Sequence, residues 1–341
     1  MFRVFTGGNY PEVFNAQGIE NSMSGYATLV EDPAKAQLFV FPVFYEVLVD
    51  YSADEYIKYK VTNEDVQFAK DKLTQMSAFA KQFNKPLILI FYRDPSYKID
   101  IPNVVVFRTS LYKKERGNNE FSMPAIVTDV LLQHPFQPIF KSANPSVGFR
   151  GQSAPLKLPF TAQLRLTTNE LMQQLHIPAS VEMFYNRGYI ARRSAIQSCL
   201  KNPQITAEIT ITTPFDIENK NSNLLFEENI LNNQYSLAVS GHGNYSFRLY
   251  QILSAGRIPL FIDTDCVLPY EEFIDWKKHL VWVDETDAKN ADKFLLDFHH
   301  AIHPDDFITM QESNRKLWEQ YLNYTGFFSN LKLYFERLVE Q

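Results

Sequence analysis

Cysteine is nearly absent from this chain: among 341 residues only Cys199 and Cys266 carry a thiol. Two thiols so far apart give neither a disulfide framework nor the close ligand spacing of a zinc site, and they fit a reducing compartment. Long apolar runs are missing too, none approaching the roughly eighteen residues of a membrane span. Positive charge is in deficit, with 33 Lys and Arg against 39 Asp and Glu and a formal net charge of -6. That balance excludes a general nucleic-acid binder, which shows a basic face, while leaving room for local basic pockets. Disorder is excluded as well, because hydrophobic residues make up 45% of the chain, enough to furnish the cores of two domains.

The richest stretch begins at Gly241-His242-Gly243, where paired glycines let a backbone turn tightly and approach a ligand. Ser246 is a suitable N-cap, the spacing predicts a helix from about Phe247 to Ala255, and Gly256 stands where a left-handed stop is cheap. Ile258 to Ile262 is then a continuous apolar run of strand length, as a parallel strand covered on both faces requires. Unpaired N–H groups and the positive dipole end favour an anion at the start of such a helix, and Arg248 in its first turn adds a fork of donors suited to phosphate. The plain alternative is an ordinary loop, helix and strand with Arg248 on a solvated face.

Strands and helices alternate in two halves. Phe2-Phe5, Leu38-Val43, Leu87-Tyr92 and Val104-Arg108 read as strands, with a helix over Val66-Phe83 before the third. The prolines at 135, 138 and 145 mark a connection. Beyond it come strands at Val147-Phe149, Thr206-Thr212, Ser236-Val239, Ile258-Ile262 and Leu280-Val283, and a helical tail over Phe307-Leu338. The expected class is α/β, with one parallel-sheet domain over 1–133, joined by a final helix at about 318–341, and a second over 134–317.

The segment Ala238–Tyr270, AVSGHGNYSFRLYQILSAGRIPLFIDTDCVLPY, closely resembles the exostosin-like glycosyltransferases of family 47. Further blocks follow in the family's order: Thr28–Tyr45, Ser146–Gly151 with the basic pair Arg192-Arg193, and Leu280–Asp287. Together they span roughly 28 to 290. The resemblance implies the GT-B architecture, two Rossmann-like parallel-sheet domains facing across a cleft. It implies inverting transfer of a sugar from a nucleotide-diphosphate sugar, a UDP-sugar foremost, to a glycan or lipid-linked glycan acceptor, without metal or other cofactor. The donor would be held by Arg150, Arg192, Arg193, Gly243, Asn244, Tyr245, Ser246, Arg248, Gln251 and Asp263. A carboxylate of the first domain would take the acceptor proton: Asp94 first, after the third strand, then Glu46, with Glu120 a third choice. Two positions depart from the family, which carries arginine in the place of Ser240 and glutamate in the place of Gln251. They motivate a second reading, a glycan- or nucleotide-binding protein with little or no turnover.

Other constellations invite metal readings. Asp263-Thr264-Asp265 imitates a diphosphate-metal motif, and His299, His300 and His303 with Asp305 and Asp306 imitate ligand spacing. A strand end and a helix end account for them more simply. Lys113-Lys114-Glu115-Arg116 reads most simply as a solvated loop, the alternative being a grip on an anionic acceptor. The first residues run straight into a strand pattern, which leads to the expectation of a cytoplasmic protein of bacterial or viral origin, with peripheral membrane contact left open.

Overall fold

The computed structural model describes residues 1–156, 187–213 and 221–340. The chain divides into two compact units, 1–126 with 267–271 and 319–341, and 127–266 with 272–318. The connection between the halves thus begins at Val127, earlier than the proline spacing suggests, and a short piece after the Asp263 strand returns to the first unit.

In the first unit β1 (Phe2–Phe5), β2 (Ala27–Leu29), β3 (Leu38–Phe44), β4 (Leu87–Phe91), β5 (Val104–Arg108) and β6 (Glu120–Ser122) form a six-stranded sheet in the order β2-β1-β3-β4-β5-β6. Every pairing is parallel. β3 and β4 are apolar almost throughout and buried, as central parallel strands must be. Pro42 has no N–H for the ladder, and the β3–β4 register shifts between Val40 and Phe44. Helix α1 (Ala16–Met23) precedes β2, and the short helices α2 (Glu46–Val49) and α3 (Ala53–Lys58) follow β3. Helix α4 (Asn63–Phe83) starts three residues before the apolar periodicity because Thr62 and Asp65 close a capping box. It stops at Asn84, which takes a left-handed φ of 48°, and buries Val66, Ala69, Leu73, Met76 and Ala80.

The second unit holds β7 (Ser146–Gly151), β8 (Thr206–Ile211), β9 (Tyr235–Val239), β10 (Ile258–Asp263) and β11 (Val281–Asp284), in the order β11-β10-β9-β7-β8. These pairings are parallel as well. Helices α5 (Arg187–Lys201), α6 (Ser222–Leu231), α7 (Phe247–Ser254), α8 (Ala291–Ala301) and α9 (Pro304–Leu317) accompany them. The tail continues as α10 (Tyr324–Asn330) and α11 (Lys332–Glu340) in the first unit. Both sheets share one strand order, 2-1-3-4-5 counted along each unit, with a sixth strand added in the first. Each unit is thus a Rossmann-like domain built on one parallel sheet, as the alternation of strands and helices predicts. Among the described residues no helix is long and apolar enough to cross a membrane.

Candidate functional site

In the second sheet the chain leaves β7 toward β8 on one side and resumes with β9 on the other, so the carboxyl ends of β7 and β9 flank the topological switch point. Open α/β sheets bind ligands there. Arg150 and Gly151 end β7, Ser240 and Gly241 follow β9, and α7 begins a few residues later. The expected helix and strand stand where the sequence puts them, and Gly256 closes the helix with φ +63°.

Three arginines gather at this place. The Arg248 guanidinium lies between the rings of Phe149 and Phe226, 4.5 and 4.4 Å from their centroids, and its Nη2 donates to the Arg150 carbonyl. Arg192 lies over Phe149 and Tyr189 and donates to the carbonyls of Gln152, Val239 and Ser240. Burial pushes Arg248 down to about 9, with the Arg192 charge adding to the shift, and burial alone pushes Arg192 down to about 10. Both remain cationic at neutral pH. Arg150 Nε, Arg192 Nε and Arg248 Nη1 are buried with no hydrogen-bond partner among the described residues. Among the described residues none of the three pairs with a carboxylate; Arg192 and Arg248 donate to carbonyls. Clustered, desolvated and underused donors of one sign make a site that an anion would stabilise.

The loop into α7 works differently from its glycine reading. Neither Gly241 nor Gly243 takes a positive φ, and a Cβ at Gly241 would meet nothing within 4 Å. The loop is held by side chains instead: the buried Ser240, Thr264 and Asn244 join through Thr264 Oγ1, 2.9 Å from Ser240 Oγ and 2.7 Å from Asn244 Oδ1. Asn244 therefore braces the loop from within, and Tyr245 adds a backbone bond to Gly241 and an edge contact with Phe247. Ser246 has the extended conformation of an N-cap, yet its side chain does not cap α7. Arg193 projects elsewhere, donating to the carbonyls of Pro155 and Leu156. Asp263 accepts the Cys266 N–H at 3.0 Å, closing the turn in which Asp265 has a φ of 68°. Gln251 is half-buried on α7.

Sequence spacing gave no sign of Gly188. A Cβ there would lie 2.5 Å from the Ser240 carbonyl oxygen, so the first turn of α5 packs directly on the loop after β9. Tyr189 and Gln152 were missed for the same reason: contacts with Arg192 and with each other, at 2.9 Å, bring them to the site.

In the first unit the switch-point logic points to the ends of β1 and β3. Glu46 opens α2 at the end of β3, is 4% exposed, and accepts the Tyr92 N–H at 3.0 Å. Burial pushes its carboxyl up to about 8, against smaller lowering effects from the Tyr92 and Glu46 N–H groups and Arg93. Asp94 sits exposed after β4. Glu120 is held by the fully buried Arg108 at 3.0 Å and by the Gly117 N–H at 2.9 Å, which makes it a structural partner. The buried carboxyl with perturbed acidity at a strand's ligand-binding end is thus Glu46.

The metal-like spacings resolve into structure. His299 is buried between the Tyr235 hydroxyl and the Ser142 carbonyl, and His303 caps α9. Among the described residues no group of three or more His, Cys, Asp or Glu side chains has the arrangement to hold a metal ion.

Residues 156–297 match the model of the Exostosin GT47 domain. Exostosin-1 of Drosophila melanogaster is 31% identical over 99 residues, 28% of this chain and 12% of that protein. The Exostosin-1 homolog of Caenorhabditis elegans is 27% identical over 115 residues, 33% of this chain and 29% of that protein. The matches span less than a third of these relatives' length. Among solved structures, a glycosyltransferase from Rickettsia africae ESF-5 is similar with a TM-score of 0.38 at 10% identity, covering 100% of this chain and 99% of that one. Spinosyn rhamnosyltransferase SpnG is similar with a TM-score of 0.36 at 9% identity, covering 98% and 100%.

Proposed function

We propose that this chain, whose residues 156–297 match the Exostosin GT47 domain, transfers a sugar from a nucleotide-diphosphate donor, a UDP-sugar, to a hydroxyl of a glycan acceptor with inversion. The supporting observation is the arginine cluster at the β7/β9 switch point, where three buried guanidinium nitrogens have no hydrogen-bond partner among the described residues. In this reading the diphosphate lies against the start of α7, with Arg150 Nε and Arg248 Nη1 donating to it and Arg192 adding charge. Ser240 stands where the family carries arginine, and Arg192 brings a guanidinium to its carbonyl at 2.8 Å. The acceptor oxygen attacks the anomeric carbon as the bond to the diphosphate breaks; its electron pair leaves on the phosphate oxygen, and Glu46 takes the hydroxyl proton. Guanidinium groups stabilise the growing phosphate charge, so transfer proceeds without a metal ion.

Calorimetric titration with UDP, followed by turnover of a UDP-sugar panel with and without EDTA, tests the proposal. Binding and EDTA-insensitive release of UDP are expected. Binding without hydrolysis or transfer would instead favour the second reading, a non-catalytic donor binder, which the neutral Gln251 supports because an amide holds ribose hydroxyls more weakly than a carboxylate. Failure to bind UDP and other nucleotides would sink both.

A further inference from the structure

The end of the first sheet around Glu46 is crowded with tyrosines that proton transfer leaves unused. Tyr51 follows α2, Tyr59 ends α3, and Tyr97 lies on the loop after β4. The Tyr51 and Tyr59 rings are 5.7 Å apart and inclined by 37°, and the Arg93 guanidinium lies 5.3 Å from the Tyr51 centroid. Tyr97 packs on Phe91 at 5.3 Å. Tyr51 donates its backbone N–H to the Glu46 carbonyl at 3.2 Å, and Tyr97 packs on Phe91, the neighbour of the Tyr92 whose N–H bonds the Glu46 carboxyl; burial first, with the Glu46 charge among the further causes, holds both phenols above the ordinary range. Tyr59 and Tyr97 nevertheless keep 48% and 45% of their surface in water. Exposed rings here alternate with fixed charges. Arg93 Nε sits 3.2 Å from Asp50 Oδ2, and its Nη2 sits 2.5 Å from Glu55 Oε1.

We propose that Tyr51, Tyr59 and Tyr97 form an acceptor platform that seats the terminal pyranose of a glycan beside Glu46. A pyranose has a face of C–H groups, weakly positive, and a rim of hydroxyls. Ring faces with negative quadrupoles match the first, and the Asp50 carboxylate matches the second. A purely aliphatic partner would cover the Asp50 carboxylate, whose side chain stays 37% exposed beside Arg93, without a hydroxyl to replace its water, and the carboxyl end of parallel strands is where such sheets take small ligands. The platform's use rests on the transferase reading, since it supplies the hydroxyl that Glu46 deprotonates.

Saturation-transfer NMR on the full chain, with the methyl β-glycosides of glucose, galactose, xylose and N-acetylglucosamine as probes, tests it. Saturation is expected on ring C–H protons of at least one probe, weakened roughly three- to tenfold in Tyr59→Ala and Tyr97→Ala and retained in Tyr59→Phe and Tyr97→Phe. UDP titrated into each variant reports folding and the donor site separately. Saturation of none of the four sugars, with UDP still bound, overturns the platform. So does equal saturation in the alanine variants, or concentration-dependent sedimentation that Tyr59→Ala abolishes, which would assign the patch to a protein contact. Saturated sugars without UDP binding would overturn the donor reading and leave the platform standing.

Discussion

The Glu46 carboxylate accepts the Tyr92 backbone N–H at 3.0 Å, tying the ends of β3 and β4 through a buried acid. Its pKa rises from 4.5 to about 8, burial being the main cause. Between those values the folded chain keeps a proton that the unfolded chain has lost, so folding takes up a proton and stability falls as pH rises. This contribution is complete below the unfolded value and gone above about 8. Glu46→Gln keeps an acceptor for Tyr92 and cannot ionise. Its thermal midpoint relative to the parent chain is therefore expected to rise between about pH 5 and about pH 9, by calorimetry. A constant difference across that range would contradict the assignment.

The same acid is the proposed base, and a base works only when ionised. The rate of transfer at low acceptor concentration is expected to climb with pH and level off above about 8. Glu46→Gln should lose about a hundredfold or more in kcat, whereas Asp94→Asn should change it by less than about threefold, since an exposed turn residue contributes little. The reverse ranking would restore Asp94 as the base.

The sheets and helix α7 were legible because their signals are local. Apolar runs such as Leu87–Phe91 have no other use than a buried parallel strand, and the stretch from Ser246 to Gly256 carries its helix stop in one residue. Short edge strands left no such trace: β2 and β6 have three residues each and alternate too briefly to register. In the site, residue type misled where a side chain has two uses. Asn244 and Asp263 have the chemistry to bind a sugar or phosphate, yet Asn244 Oδ1 accepts the Thr264 hydroxyl and Asp263 Oδ1 accepts the Cys266 N–H. Arg192 and Arg193 are adjacent in sequence, but successive helical residues face different ways, so only the first reaches the switch point. Gly188 matters only through a loop some fifty residues away, a contact no spacing rule encodes.

Arg150 ends β7 with its Nε buried and without a hydrogen-bond partner among the described residues, so a bound anion would supply that donor with an acceptor. Removing one charge-assisted contact to a diphosphate costs about 1.5–3 kcal/mol, or roughly ten- to a hundredfold in Kd. Arg150→Ala is expected to weaken UDP binding by that factor in a calorimetric titration while leaving the thermal midpoint of the free protein nearly unchanged. Arg248→Ala should weaken binding at least as much and also destabilise the fold, because its side chain fills the space between Phe149 and Phe226. Unaltered UDP affinity in both would dismiss the anion site.

Gly188 tests whether the start of α5 and the loop after β9 act as one unit. A methyl group there would stand 2.5 Å from the Ser240 carbonyl oxygen and 2.7 Å from its hydroxyl, and the first of these is backbone that cannot rotate away. Gly188→Ala must therefore push α5 from the loop, and Arg192, four residues on, loses its 2.8 Å bond to that same carbonyl. The expected result is a loss of about 1–3 kcal/mol of stability from overpacking, together with weaker UDP binding measured well below the new melting temperature. Gly25→Ala is the control, since a Cβ there meets nothing within 4 Å, and it should change neither quantity. If Gly188→Ala lowered stability while UDP bound as before, the helix would be packing against the loop without shaping the site.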